Sequence, residues 1–383
     1  MTLGEPDFIA RDPEIITAEI VADYEARTGK TLYPAQVERV MIDIIAYRET
    51  LVRVGVQEAA KQNLVAFARA PMIDYLGELV GVTRLPAQPA KTTLRFSVEE
   101  ALPSNLLIAA GTRVETSDGA VSFATDVDVT LAAGQLAVDV AATCETAGSI
   151  GNGWQPGQLG SLVDDLGDVD MTVGNTQISA DGYEEEDSDR LRERIKLAPE
   201  AFSTAGSRLA YVFHAKSAHQ SIVDVGVIGP EMEMRDGRLV SVNGVPPGSV
   251  QVYPLVDTGL PSGAILQLVR DSLNDERRRP LTDYVDVRPP TPVDYAIDVR
   301  LTLYKDADAD TTIAQARAAA EAYRADRAAG LGRDIVPRQL SRAVQVSGVY
   351  DVDLPGLALR VLTGNEWARC TGISVIPVGV ANG

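Results

Sequence analysis

Apolar and polar positions divide the chain into stretches of different period. To about Leu85 the apolar positions recur every three or four residues, which predicts helices. Asp12 and Pro13 offer an N-cap and a first-turn proline ahead of Glu14, Ile15, Ile16, Ile20 and Tyr24, and Gly29 stops that helix. A second helix is expected from Pro34. In it Val37, Val40, Ile44, Tyr47, Leu51 and Val54 alternate steps of three and four, the spacing of a helix that packs along its length against other helices. Met41, Ile45 and Val52 widen that stripe. Continued to Phe67, the helix would be about 50 Å long at ~1.5 Å per residue, more than a compact domain needs. The stripe then either packs internally on the preceding segment or forms a seam for the helices of a partner. A third short helix around Met72 to Leu79 ends at Gly81, and Pro86 and Pro89 mark a boundary.

From Lys91 to about Ile178 the period changes to two. Leu94, Phe96 and Val98 alternate with Thr93, Arg95 and Ser97, and short strands are expected at 112–116, 121–124, 126–131 and 137–143 between Gly, Asn, Asp and Pro. The glycine-rich run AGSIGNGWQPG lacks a following Lys-Ser or Lys-Thr pair and does not open a helix, so it is neither a P-loop nor a dinucleotide fingerprint. Its glycines read as turn positions, with Trp154 covering the core edge.

The stretch DGYEEEDSDRLRERIKLAPEAFSTAGSRLAYVFHAKSAHQSIVDVGV, residues 181–227, comes next. It predicts an acidic helix start at Glu184 to Asp187, a helix with Leu191 and Ile195, a turn at 203–206, a helix with Leu209, Ala210, Phe213 and Ala218, and a strand with Ile222, Val223, Val225 and Val227. Beyond it are expected strands at 238–242 and 249–255, a helix over 261–278 and a long alternating strand from Val293 to Leu303, with prolines at 280, 289, 290 and 292 marking a junction. Asp306, Asp308 and Asp310 imitate a calcium loop, but Thr311 and Arg317 stand where its glycine and bidentate Glu belong, so a cap for the helix over 312–329 is the better reading. A helix running into a strand at 338–354 echoes the one at 209–227, which suggests two consecutive α/β modules of similar plan. The expectation is a multidomain α+β chain: helices over 1–88, a β-rich module over 89–180, and α/β modules over 181–288 and 289–383.

Composition narrows the function. A formal net charge of −19 repels phosphate backbones and anionic lipids, which speaks against nucleic-acid binding. Arg277, Arg278 and Arg279 are better placed to neutralise a helix C-terminus than to grip DNA. No apolar run approaches the roughly 20 residues of a membrane span, and the N-terminus lacks the basic-then-apolar order of a secretory signal. Membrane insertion is therefore not expected. Cys144 and Cys370, the only cysteines, do not suggest a disulfide framework and fit assembly in a reducing cytoplasm. His214 and His219, five apart and away from any cysteine, do not form a metal motif. The run Glu184 to Asp187 does not define the opposed carboxylates of a glycosidase. No catalytic, cofactor-binding or metal-binding residues are expected.

Several short motifs resemble the baseplate J-like protein family, wedge proteins of contractile phage tails and related injection machines. They are IAAGT at 108–112, FAT at 123–125, AGSIGN at 147–152, GYEEEDSDRLRER at 182–194 and FSTAGSRLAYVFHA at 202–215. The resemblance marks Gly111, Gly148, Gly151, Asn152, Gly182, Arg190, Arg194, Gly206 and Tyr211 as structural motif positions. It implies a structural subunit of the virion tail baseplate, assembled in the host cytoplasm, that rings the central hub and passes the contraction signal to the sheath. Implied partners are other copies of the chain, a smaller wedge protein met through the N-terminal helices, and hub-proximal and sheath-initiating baseplate proteins. On this reading Val37, Val40, Ile44, Tyr47, Leu51 and Val54 enter an inter-chain helical bundle. A headless contractile particle is an equivalent setting. A tail-associated carbohydrate hydrolase would need a carboxylate pair that the sequence does not offer, and an adhesion module a richer aromatic surface than 5% aromatics supply.

Overall fold

The computed structural model describes residues 4–167, 169–202, 207–275, 279–280 and 282–382, apart from the side chain of residue 202. The expected turn at 203–206, including Gly206, and Arg277 and Arg278 lie outside the described residues. The architecture is α+β with several modules. It divides into two compact units, Met1–Arg84 with Asp187–Pro199, and Leu85–Glu186 with Glu200–Gly383.

The first unit is helical. Helix α1 (Pro13–Thr28) starts where the Asp12 side chain accepts the Glu14 amide and stops at Gly29, whose φ of 67° is left-handed. Helix α2 (Val37–Lys61) has 25 residues, about 37 Å at ~1.5 Å per residue. It ends short of Phe67 because the chain folds back there, the Gln62 Oε1 accepting the Arg69 amide at 2.8 Å. Helix α3 (Met72–Glu78) comes after this reversal.

Helix α4 (Ser188–Leu197), which the sequence assigned to an α/β module, packs instead on α3. Leu191 and Ile195 are buried, and a Cβ at Gly77 would stand 2.6 Å from the Val82 carbonyl and 3.3 Å from Ile195. The Arg192 guanidinium donates to the carbonyls of Val65 and Ala68 at 2.8 and 2.7 Å, and Arg194 to that of Thr83 at 3.1 Å. Carbonyls of the irregular chain after α2 and after α3 are what the arginines of this helix satisfy.

The second unit opens with strands β1 (Pro89–Val98), β2 (Leu106–Ile108), β3 (Arg113–Thr116), β4 (Ser122–Thr125), β5 (Val129–Leu131), β6 (Ala137–Ala147), β7 (Leu159–Leu162) and β8 (Met171–Asn175). Six form one sheet in the order β7-β3-β4-β6-β1-β8, and β2 pairs with β5. The end strands β7 and β8 approach one another, so the sheet curls towards a barrel. The alternation read from the sequence holds in β1: Leu94 and Phe96 point into a core shared with Ile108, Phe123 and Leu159, all fully buried. Trp154 packs against the edge of that core.

Two α/β modules complete the unit. Helix α5 (Arg208–Lys216), strands β9 (Ile222–Ile228), β10 (Met232–Arg235), β11 (Arg238–Ser241) and β12 (Ser249–Val256), helix α6 (Gly263–Leu273) and strand β13 (Tyr284–Val287) form the first. Strand β14 (Thr291–Tyr304), helices α7 (Ala309–Ala328) and α8 (Pro337–Val344), and strands β15 (Val349–Asp353) and β16 (Glu366–Ala381) form the second. Asp308 caps α7, its carboxylate accepting the Thr311 amide at 3.2 Å. Each module has a three-stranded sheet whose middle strand pairs antiparallel on one side and parallel on the other: β13-β12-β9 and β15-β14-β16. The echoed helices α5 and α8 both feed the antiparallel edge strand. The chain order differs, however, because the middle strand comes after that edge in the first module and precedes it in the second.

One polar side chain holds the barrel's seam. Asn175, 3% exposed, donates to the carbonyls of Trp154, Gln155 and Gln177 at 3.1, 3.0 and 2.8 Å and accepts the Leu159 amide at 3.1 Å. Replacing it with Ala takes the acceptor from the buried Leu159 amide, while the three carbonyls keep the Ser179 amide, the Gln158 amide and the Thr92 hydroxyl, and should cost about 1–3 kcal/mol. Urea unfolding monitored by Trp154 fluorescence in a Trp367→Phe background checks this. An unshifted midpoint would refute the role.

Candidate functional site

The most unusual surface lies on α2. Its inner face buries Ile42, Ala46, Thr50, Gln57 and Lys61. Much of the fastening there is polar. Gln57 Nε2 donates to the Pro6 carbonyl at 2.7 Å while its Oε1 accepts the Phe8 amide at 2.9 Å. Lys61 pairs with Glu5 at 2.9 Å and Glu58 at 3.0 Å, and Arg53 reaches the Ala10 carbonyl at 3.3 Å. Helix α1 packs alongside.

The stripe read from the sequence lies on another side of the helix, roughly a third of its circumference away at ~3.6 residues per turn. Its members Val37, Val40, Ile44, Tyr47, Leu51 and Val54 are all exposed, from 72% at Val37 to 42% at Val54. Met41, Ile45, Val52 and Val56 are exposed as well. The internal hairpin and the free stripe therefore coexist, because α1 uses a different face. An open groove of about 730 Å³ is lined by Thr17, Ala18, Val21 and Ala22 of α1 and by Tyr47 and the Arg39–Asp43 ion pair, 3.0 Å apart, of α2. Small residues one turn apart let another helix approach closely. Contiguous exposed apolar surface of this kind is uncommon on a soluble chain and calls for an explanation.

The motif glycines and Asn152 do something different: four of them meet at one point. The Asn152 amide donates to the Gly182 carbonyl at 2.7 Å and accepts the Gly182 amide at 2.9 Å, imitating a strand pairing. A Cβ at Gly182 would stand 2.4 Å from the Gly148 carbonyl. One at Gly151 would stand 2.8 Å from the Ala90 Cβ and 2.9 Å from the Cys144 sulfur. Gly148 adopts a φ of 114° and lies against Glu184. Gly111 stands apart, at a φ of 84° in the turn before β3, its amide donating to the Thr125 carbonyl at 2.8 Å.

The acidic run is distributed rather than gathered at a helix start, since α4 begins only at Ser188 with Asp187 as its cap. The Glu184 carboxylate accepts from the Ser149 amide and hydroxyl at 2.8 and 2.6 Å, and these contacts hold it below the usual carboxylate range. Glu186, 3% exposed, accepts the Leu85 amide at 3.1 Å. Both carboxylates are thus engaged with backbone amides rather than set opposite one another as a hydrolase pair would be. Arg190 lies beside Asp187 at 3.6 Å, and Arg194 is the buried donor to Thr83. Tyr211 is buried and donates to Asp283 at 2.5 Å; burial and that carboxylate push its hydroxyl well above the ordinary tyrosine range. Among the described residues no group of three His, Cys, Asp or Glu stands ready for a metal. No helix among them is long and apolar enough to cross a membrane.

Sequence reasoning missed the contacts that lie just beyond this knot. Tyr183 meets the His219 ring edge to face at 4.7 Å, and Gln220 donates to the carbonyls of Pro86 and Glu184 at 3.3 and 3.2 Å. His219 Nδ1 lies 2.8 Å from the Ser221 hydroxyl. The only signal available was that both histidines fall at the end of a helix that runs into a buried strand.

This junction makes two outcomes testable. Gly182→Ala should destabilise the second unit by about 2–4 kcal/mol, since the clash is with backbone and cannot be relieved by a side-chain rotation; a melting temperature equal to the parent's would contradict it. Burial lowers the His219 pKa below its ordinary 6.5, although Asp181 and Asp257 pull the other way. The unfolded chain therefore takes up this proton at higher pH than the folded chain. The stabilisation is complete above about pH 6.5 and is lost as pH falls towards the folded value. Comparing melts at neutral and mildly acid pH, His219→Gln should lose less stability on acidification than the parent, and equal losses would count against this assignment.

Comparison with known proteins agrees with this order of modules. Residues 39–91 match the baseplate J-like protein N-terminal domain, 93–182 the barrel domain, 203–289 the central domain and 295–376 the C-terminal domain. Baseplate protein J of Escherichia phage P2 is 33% identical over 196 residues, 51% of this chain and 60% of that protein, so less than two thirds of the relative is spanned. A six-fold symmetrised electron cryomicroscopy structure of the anti-feeding prophage baseplate overlays with a TM-score of 0.47 at 14% identity, covering 93% of this chain and 90% of that one. With four of the family's domains matched in order, this chain belongs to the baseplate J-like protein family.

Proposed function

We propose that the protein is a structural wedge subunit of a contractile-tail baseplate, acting by assembly rather than by turnover. The observation that carries the reading beyond family membership is the exposed apolar stripe of α2. A helix fastened on one face by buried polar contacts, with aliphatic side chains left in water on others, is built to complete a bundle with helices it does not itself contain.

The occupants proposed are α2 of a second copy and helices of a smaller wedge protein, meeting along Val37, Val40, Ile44, Tyr47, Leu51 and Val54. Residues 89–180 then serve as a rigid spacer, and the α/β modules of residues 208–287 and 291–381 meet neighbouring wedges, the hub-proximal proteins and the proteins that initiate the sheath. The site of action on this reading is the virion tail baseplate, with assembly in the host cytoplasm. The mechanism is mechanical: a change of contacts between wedges is passed to the sheath through modules whose internal hydrogen bonding keeps them rigid.

Replacing Ile44 and Leu51 together with Asp tests the seam. Both positions are exposed in the single chain, at 60% and 47%, so the fold should tolerate them within about 0.5 kcal/mol. Burying two unpaired carboxylates in a bundle should instead weaken assembly by at least roughly a hundredfold. Co-expression with the wedge partner, then affinity capture and size-exclusion chromatography, reads this directly. Undiminished complex formation by a folded variant would remove the proposed seam.

A further inference from the structure

We propose that the barrel module carries a binding pocket for a neutral saccharide unit, formed by the turn between β3 and β4 and the loop that enters β7. This pocket is independent of the assembly role and uses none of the residues of the α2 seam.

The pocket is an open hollow of about 630 Å³ whose lining includes Trp154, Asp118, Ser117, Gln158 and Ser161. Gly157 leaves the hollow unfilled: its φ is 83°, and a Cβ there would touch nothing within 4 Å. The site is held rigidly from behind. Asn175 fixes the carbonyls of Trp154 and Gln155, the Ser179 hydroxyl accepts the Trp154 amide at 3.0 Å, and Gln158 Oε1 accepts the Gln155 amide at 2.8 Å. The last contact occupies the Gln158 oxygen and leaves its NH₂ as the donor end. In the same lining, Asp118 Oδ1 takes the Thr116 hydroxyl at 2.5 Å and the Ala120 amide at 3.1 Å. These bonds favour the ionised carboxylate. Its Oδ2 has no protein donor among the described residues and can accept from a ligand.

The groups present select a ligand chemistry. An indole offers a flat apolar surface, suited to the C–H face of a pyranose ring. Carboxylate, amide and two hydroxyls offer acceptors and donors at short range, which matches vicinal hydroxyls that both accept and donate. An anion is disfavoured by Asp118 and by the net charge of −19. A cation would satisfy Asp118 and the indole but would leave the donor end of Gln158 unanswered, because an ammonium has nothing to accept with. Among the described residues no second carboxylate lines the hollow, so the chemistry is recognition without hydrolysis.

The test is saturation-transfer NMR on the full chain with a panel of maltose, cellobiose, lactose, N,N′-diacetylchitobiose and methyl α-rhamnoside, with n-butylamine and inorganic phosphate as the charged alternatives. The expected result is transfer to the ring C–H protons of at least one saccharide, with millimolar affinity. Trp154→Ala should weaken that binding by roughly tenfold or more, a difference of ~1.4 kcal/mol. Because Trp154 also covers the core edge, Asp118→Asn is the second variant. Its exposed turn keeps an Oδ1 to accept from Thr116 and Ala120, so the variant should weaken binding while leaving the circular dichroism spectrum unchanged and the melting curve only slightly lowered. Absence of transfer to every saccharide, binding of butylamine or phosphate instead, or undiminished saccharide binding by folded Asp118→Asn would each overturn the proposal. The Ile44 and Leu51 substitutions should leave saccharide binding intact, so failure here and failure of the assembly reading are separable.

Discussion

The pairing of the Asn152 side chain with both backbone groups of Gly182 fixes where the chain leaves the barrel, and much of the second unit is set by it. Buried backbone donors and acceptors require partners, and a side-chain amide is a group that supplies one of each in the geometry of a strand. The backbones approach this closely only because Gly148, Gly151 and Gly182 have no side chains. Once residue 182 is held, Glu184 lands on Ser149 and Glu186 on Leu85, and Tyr183 is delivered to His219. Gln220 then closes the link from the first α/β module to the carbonyls of Pro86 and Glu184. A further tie joins the two α/β modules, where Asp224 accepts the Leu331 amide at 2.8 Å. These are directional, satisfied contacts, the kind that specify one geometry.

Helix α2 obeys the opposite logic. Apolar surface in water costs about 25 cal/mol per Å², so a row of exposed valines, isoleucines and leucines works against a free-standing helix. The helix persists because its inner side is tied by Gln57, Lys61 and Arg53 to the chain before α1. Those long side chains need little apolar burial to hold the hairpin, so the aliphatic face does not have to be used inside the unit. A fold that needed the stripe for its own core would have turned it towards α1.

The sequence carried the periodic features well. The a/d stripe, the caps at Asp12 and Asp308, the stop at Gly29 and the alternation around Leu94 and Phe96 are local, and local geometry suffices to read them. The end of α2 was not legible because Gln62 and Arg69 meet only after the chain has turned. Placing α4 with α5 was natural from adjacency, but carbonyls more than a hundred residues earlier, at Val65, Ala68 and Thr83, decide its position. For the same reason the glycine-rich run and the acidic run looked like separate features. Their convergence is a tertiary event between Ser149 and Glu184, and neither segment hints at the other. The hollow beside Trp154 was equally hidden, since Asp118 reaches it from a hairpin turn far away in sequence.

Charge adds a last constraint on assembly. Copies of a chain with a net charge of −19 repel one another at distances up to about a Debye length, ~8 Å at physiological salt. In the assembly proposed above, attraction between copies would come from short-range burial rather than from net charge, and the exposed aliphatic face of α2 is the surface offered for it. Repulsion at range with adhesion on contact favours few, well-registered encounters over indiscriminate clustering. That combination suits an exposed apolar helix, which on a neutral chain would be an aggregation hazard. On the proposed reading the negative charge and the apolar stripe are parts of one device, the first keeping subunits dispersed and the second reserved for a complementary helix.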